Sequence, residues 1–578
     1  MFKSITKLYI ILNFKQKKYF FLLIILTIFG AIFEMLSLGL LIPIMSLLVN
    51  KSENLNINGL DFFHSLLFDF NLNNNQKIIY FILAILLIFL IKTIFFTLLN
   101  FFNFRIIANF NYEISKKVFR NYLYQDYIFF LSSNSSRLIQ NLTKEIDNLV
   151  EIFLVSLLLL INEIFILVAI SFVLIFLNFQ AYYVAFLFFG SSSLIFFLII
   201  KNFLNKWSLL RQINQIKVLK CTQEGIRNIK ELKIFSKESE FINYFNFYSS
   251  DYSRVQSNVN FLSSIPKHYI ELIAIIVFVF GMYAFLLTGV NNEEIIITLS
   301  IFAAATLKIL PSINRIINCI IKLKYAQPSV DAIYNEFNLI NYSCNFNLNK
   351  INSKKKLILK EDIKVDNVSF KYENNKNLVF KNVNFKFPAN RIIGFFGKSG
   401  SGKTTLIDLL IGLLTPTEGN IYVDGKDISK NLKEWKNNIS YVQQSIYLID
   451  SSIKANIVLG LKEGSINLKK IDDILNIVCL KDFVDNLPNK INTNVGELGN
   501  NLSGGQRQRI GIARALYFDR DVLILDEATN SLDYLTEEKI IRNICKLKNK
   551  TIIFVTHKKS LLKYCDIAFD LSKLKNKN

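Results

Sequence analysis

The chain has 578 residues, a formal net charge of +22, and 52% hydrophobic residues including 53 phenylalanines. That length exceeds a single hydrophobic core, and that apolar content is not the composition of an ordinary soluble domain. Three histidines and six scattered cysteines lack metal-ligand or disulfide-framework spacing, which argues against a metal centre and fits a reducing compartment. The positive charge is spread through a Lys-, Asn-, Ile- and Phe-rich sequence with no basic stripe interleaved with aromatics, so no nucleic-acid partner is expected.

Lys3, Lys7, Lys15, Lys17 and Lys18 precede the first apolar run, 19–49. A signal peptide has a core of roughly 7–15 residues and a small-residue cleavage site. This run is too long and lacks the site, so it reads as a retained span. Further apolar runs at 78–104, 148–177, 181–203, 262–289 and 295–325 meet the ~18 residues needed to cross a bilayer. The loop 51–77 contains "GLDFFHSLLFDF", which suits either a short amphipathic helix on the outer face or a packed loop. The connections 105–147 and 204–261 are rich in Lys and Arg, whereas the turns near 178–180 and 290–294 have neither. The positive-inside rule then places both termini and both long connections in the cytoplasm. Their apolar residues recur at helical spacing, which predicts helical extensions that reverse near 122–131 and 222–236.

Composition changes after Pro328, and 341–361 is rich in Asn, Lys and Ser. The expected organisation is a six-span helical membrane domain over 1–330, a linker over 331–361 and an α/β domain over 362–578. Most of the 21 glycines fall between 394 and 511. There the strand-like "RIIGFF" runs into "GKSGSGKTT" and a helix, the full context of a phosphate-binding loop. Gly397, Gly400 and Gly402 let backbone amides approach phosphates without a Cβ in the way. Lys398, Ser399 and Ser401 complete the loop, and the following helix N-terminus adds its dipole. Lys403 is expected at the β and γ phosphates, with Thr404 offering a hydroxyl to Mg²⁺ and Thr405 beside it. "DVLILDEA" is an apolar strand ending in Asp526, suited to Mg²⁺, and Glu527, placed to polarise a water as general base.

"LSGGQRQR", together with these motifs, resembles the signature of the ABC-transporter ATPases, and six spans before one nucleotide domain resemble the half-transporter exporters. The resemblance implies a membrane all-α six-helix domain followed by an α/β P-loop ABC domain, with ATP and Mg²⁺ as cofactors. It implies that Ser503, Gly504, Gly505 and Gln506 open a helix facing the γ-phosphate of ATP held by a partner subunit. It also implies that Tyr372 stacks on adenine and that Gln444 contacts Mg²⁺ and water. Glu497 resembles the exporter X-loop acid. Asp533 in "NSLD" matches the D-loop, where the family more often has Ala after the serine. His557 matches the switch histidine, followed by Lys558 where the family often has Arg. One loop and one signature per chain imply a dimer, and intact catalytic positions favour a homodimer.

The stretch "TLSIFAAATLKILPSINRI", with "SSIPKHYIE", Glu34 and the segment around Lys92, is similar to the bacterial lipid-linked-oligosaccharide flippases. That resemblance implies a multi-pass protein of the bacterial inner membrane that flips a polyprenyl-pyrophosphate-linked glycan to the outer leaflet. A cation inside a span costs a few kcal/mol on insertion scales and usually has a function. Lys92, Lys267, Lys308 and Arg315 facing one cavity would suit a pyrophosphate. Alternatively Lys267 and Arg315 snorkel to the interface, and Lys92 or Lys308 pair with Glu34, Glu163 or Glu271. An exporter of a lipid A-like lipid, drug or peptide is the alternative cargo reading. A soluble ABC ATPase acting on nucleic acid conflicts with the spans, and a gated channel conflicts with intact Glu527 and His557.

Overall fold

A computed structural model describes residues 2–39, 74–177, 179–288, 292–343, 355–372 and 377–572. The loop reading at 51–77 falls mostly outside them. The chain divides into two units: 1–125 with 132–345, and 126–131 with 346–578.

The first unit is helical. A short helix, Phe2–Ile11, is followed by six long ones: Phe14–Gly39, Asn74–Leu123, Val155–Leu177, Phe179–Arg227, Glu238–Thr288 and Asn292–Ser343. Their lengths follow from unbroken runs of Leu, Ile and Phe with almost no glycine. Among the described residues, five stretches are long and apolar enough to cross a membrane: Phe14–Leu36, Ile82–Leu123, Ser135–Phe172, Leu187–Arg227 and Glu238–Phe280. The helix Asn292–Ser343 contains the sixth apolar run, 295–325. The third span begins early, because helix Ser135–Gln140 and two π-helical stretches, Asn141–Glu145 and Asn148–Leu154, lead into it. Both expected reversals exist as six-residue helices, Tyr127–Ser132 and Ile229–Ile234.

Residues 331–361, expected as linker, are helix at one end and core at the other. Helix Asn292–Ser343 runs through both Pro311 and Pro328. Each proline removes one intrahelical hydrogen bond, but burial of Val330, Ile333 and Phe337 and the 2.6 Å Lys7–Asp331 ion pair hold the helix together beyond Pro328. Leu357 and Leu359 are buried in the core of the second unit.

That second unit has two sheets. Strands β1 (Asp362–Phe370), β2 (Phe380–Pro388), β4 (Glu418–Val423) and β5 (Lys426–Asp427) form an antiparallel sheet ordered β2-β1-β4-β5. Strands β3 (Ile392–Phe396), β6 (Ile439–Val442), β7 (Val522–Asp526), β8 (Thr551–Thr556) and β9 (Ile567–Asp570) form a parallel sheet ordered β6-β7-β8-β3-β9. Strands β7 and β8 are buried along their whole length, as a continuous apolar strand in a covered parallel sheet must be. The register pairs Phe396 with Thr556 and Asp526 with Val555. The phosphate loop, the two acids and the switch histidine therefore leave the same edge of the sheet, where ligands of open α/β sheets bind. Ile128, from the short segment 126–131, packs against the core of this unit.

Candidate nucleotide and membrane sites

Strand β3 ends at Phe396, and helix Lys403–Ile411 begins after the loop. Gly402 lies at φ +92°, and a Cβ there would stand 2.7 Å from the Phe380 ring. Only glycine meets both constraints. Lys403 donates from Nζ to the carbonyls of Gly397 (3.0 Å) and Lys398 (3.2 Å), so its ammonium lies inside the loop. Ser401 Oγ is buried and has no hydrogen-bond partner among the described residues. A buried ammonium and an orphaned hydroxyl in a glycine cradle fit a phosphate chain. Thr404 is exposed, and the Tyr372 hydroxyl lies 3.1 Å from Thr405 Oγ1.

At the end of β7, burial lifts the Asp526 carboxyl above the ordinary carboxylate range, while a 3.2 Å hydrogen bond from Tyr441 opposes the shift. Glu527 sits at φ +47°, a left-handed position uncommon for glutamate. Its Oε2 accepts from Gln444 at 2.7 Å and from Asn530 at 2.9 Å. Its Oε1 lies 3.6 Å from His557 Nδ1. The structure thus brings Gln444, the adjacent Asp526 and Glu527, and His557 to one place from three parts of the chain.

Ser503 caps helix Gly504–Tyr517 in a capping box: its Oγ accepts from Gln506 N, and its own N–H donates to Gln506 Oε1. Gly505 is pressed against the D-loop, since a Cβ would stand 3.1 Å from the Ser531 carbonyl. Ser531 N–H donates to Gln508 Oε1 at 2.8 Å, and Asp533 caps helix Tyr534–Cys545. Glu497 lies exposed in a 3₁₀ turn. No sequence motif assigns a contact with the acid pair to Tyr441 or to Asn530, the first residue of "NSLD". Their signal was position alone: alternation on strand "ISYV" and three residues beyond the acid pair.

In the membrane unit, Lys92 Nζ lies 2.7 Å from Glu34 Oε2, and both side chains are largely buried. Arg315 Nε lies 2.7 Å from Glu163 Oε1. The two partners differ sharply in exposure: the Arg315 side chain is 52% exposed and that of Glu163 4%. A second Arg315 nitrogen approaches Ser312 Oγ at 3.5 Å. Lys267 is exposed, and Glu271 lies 3.8 Å from His268. Lys308 lies on helix Asn292–Ser343, with its side chain outside the described residues.

The family model for the ABC transporter transmembrane region matches residues 19–308, and that for the ABC transporter matches 380–530. The chain belongs to the ABC transporters. Among curated relatives, this ABC transporter is 32% identical over 356 residues to a lactococcin-G-processing and transport ATP-binding protein of Lactococcus lactis, a match covering 59% of this chain and 48% of that one. It is also 32% identical over 359 residues to an ATP-dependent lipid A-core flippase of Francisella tularensis, covering 60% of this chain and 57% of that one. These matches thus span about half of each relative. The solved structure of a bacterial Atm1-family ABC exporter with ATP bound superimposes with a TM-score of 0.76 at 18% identity, over 96% of this chain and 93% of that one. It shows that this ABC transporter has the exporter fold. ATP, with Mg²⁺ as its usual partner, is the ligand of such a nucleotide domain.

Proposed function

We propose that two copies of this chain form an ATP-driven exporter that carries a lipid-linked anion across the membrane, with a polyprenyl-pyrophosphate-linked oligosaccharide as cargo. The observation that carries the cargo reading is Arg315: it lies on the sixth long helix, is bound on its Nε edge by a buried carboxylate, and is otherwise half-exposed. A guanidinium held in this way presents its remaining donors in a fixed fork, which suits bidentate contact with phosphate. Lys267 adds an exposed point charge on the fifth. Lys92, bound to Glu34, acts chiefly as a structural partner. The basic connections 105–147 and 204–261 support cytoplasmic termini. Exposed Ile229, Ile234 and Phe235 at the second reversal support a second copy to cover them.

Lys403 and the loop amides would bind the phosphates, and Thr404, Gln444 and Asp526 would hold Mg²⁺. The metal, when bound, neutralises charge on the β and γ phosphates. Glu527 orients and polarises the attacking water, and His557 stands at its other oxygen to meet the γ-phosphate. Tyr372 supports the adenine, and the capped N-terminus at Ser503, Gly504 and Gly505 faces the nucleotide of the partner copy. The flippase of Francisella tularensis favours a second reading, in which the cargo is a lipid A-like molecule.

Reconstitution into liposomes separates the two. With ATP, the wild type is expected to move a fluorescent polyprenyl-pyrophosphate glycan, and Glu527→Gln to bind ATP normally while losing turnover by about 10²-fold or more. Movement of a lipid A-like lipid alone would overturn the cargo, and normal turnover in Glu527→Gln would overturn the role of Glu527.

A further inference from the structure

We propose that Asn530, the first residue of the "NSLD" stretch, is a positioning residue for hydrolysis that holds the Glu527 carboxylate by a hydrogen bond to which the D-loop match assigns no role; this rests on Glu527 acting as the base.

The chain turns sharply after β7. Glu527 N–H still donates to the Val555 carbonyl at 2.9 Å, continuing the ladder of the parallel sheet. Its φ of +47° then turns the backbone away, and Asn530 N–H donates back to the Glu527 carbonyl at 3.3 Å. This closed turn brings the Asn530 side chain under the Glu527 carboxylate, where Nδ2 donates to Oε2 at 2.9 Å. A carboxylate has only acceptors, so the NH₂ end of the amide must face it. Gln444 donates to the same oxygen at 2.7 Å. Both donors therefore grip Oε2 and leave Oε1 on the side of His557.

The two donors are not equivalent. Gln444 comes from a loop after β6, is exposed, and is also the residue that the family resemblance places at Mg²⁺. Asn530 is half-buried, belongs to the same turn as Glu527, and is not placed at the metal. It stays with the carboxylate whichever partner Gln444 takes. The Asn530 backbone is also tied to the signature helix through its neighbour, because Ser531 N–H donates to Gln508 Oε1 at 2.8 Å. Positioning of the base is thereby linked to the placement of the helix that begins at Gly504.

The test uses the full-length protein purified in detergent. Asn530→Ala is expected to lower kcat for ATP about tenfold, the loss of one hydrogen bond to a charged group, with KM changed less than about twofold. Asn530→Asp has the same shape but sets a second carboxylate against Oε2, and its kcat is expected to fall further, by about 10²-fold. Equilibrium binding of a fluorescent ATP analogue and the apparent Tm should match the wild type in both, since neither the phosphate loop nor the core is touched. An Asn530→Ala kcat within twofold of wild type, beside an inactive Glu527→Gln, would overturn the positioning role alone. An Asn530→Asp variant no worse than Asn530→Ala would also overturn it, because a space-filling residue does not respond to charge. Full turnover in Glu527→Gln would remove the base and this role together.

Discussion

Asp408 shows how one buried carboxyl burdens the nucleotide unit. It lies on helix Lys403–Ile411, is 7% exposed, and is pushed up to about 6 by burial and then by repulsion from Asp526. Unfolded, the same carboxyl titrates near the ordinary aspartate value of about 3.9. Between these values the folded chain holds a proton that the unfolded chain has released. Stability therefore falls as pH rises through that window, and the full cost is present above pH 6 or so. Asp408→Asn is expected to stabilise the protein at pH 7.5, on the order of 1–3 kcal/mol, and to change little at pH 4. Thermal unfolding at the two pH values checks this, and an equal gain at both would mean that packing, not charge, is responsible. The glycines, Lys403 and the acid pair were legible because their chemistry demands those residue types at fixed spacing. Asp408 and Asn530 were not: nothing in a local pattern shows that a carboxyl is desolvated or that an amide folds back three residues.

At the scale of an element, the π-helical entry to the third span is the least ordinary part of the fold. A π turn holds an extra residue, and such turns interrupt the usual face pattern of a helix. Here Gln140, Asn141 and Glu145 are buried against other helices. Arg211 lies 3.3 Å from Glu145, with the two side chains 1% and 0% exposed, and also donates to Ser329 Oγ at 3.0 Å. Gln140 donates to Glu145 at 2.7 Å, while Asn141 and Arg137 both donate to Glu336. The helix itself was legible from apolar spacing. The burial was not, because charged residues in a basic connection read as a solvated face. Removing one partner of a buried pair strands the other, so Arg211→Met is expected to cost on the order of 3–5 kcal/mol. Replacing both, as Arg211→Met with Glu145→Leu, should recover much of that loss. The apparent Tm in detergent decides it: a double variant no more stable than Arg211→Met would mean that the pair is not the unit of stability.

Across the whole molecule, hydropathy and glycine content separated the membrane unit from the nucleotide unit, because each solvent imposes its own composition. The boundary was misread because Pro328 is a strong local stop signal that tertiary burial overrides. The Lys92–Glu34 pairing stands among the alternatives the sequence offers, whereas Arg315–Glu163 does not, because it joins helices far apart in sequence. Lys92–Glu34 ties the second long helix to the first, and Arg315–Glu163 ties the sixth to the third. An unpaired charge at bilayer depth costs ~2.5–3.5 kcal/mol on insertion scales, so each pair protects assembly, whether or not its cation also meets cargo. The two roles predict opposite outcomes for a paired deletion at Lys92. Lys92→Met alone removes the ammonium 2.7 Å from Glu34 and should lower the yield of folded protein. Lys92→Met with Glu34→Leu should restore both the yield and ATP-dependent lipid movement in liposomes, if Lys92 serves the helix pair. Restored yield without lipid movement would instead place Lys92 at the cargo, beside Arg315.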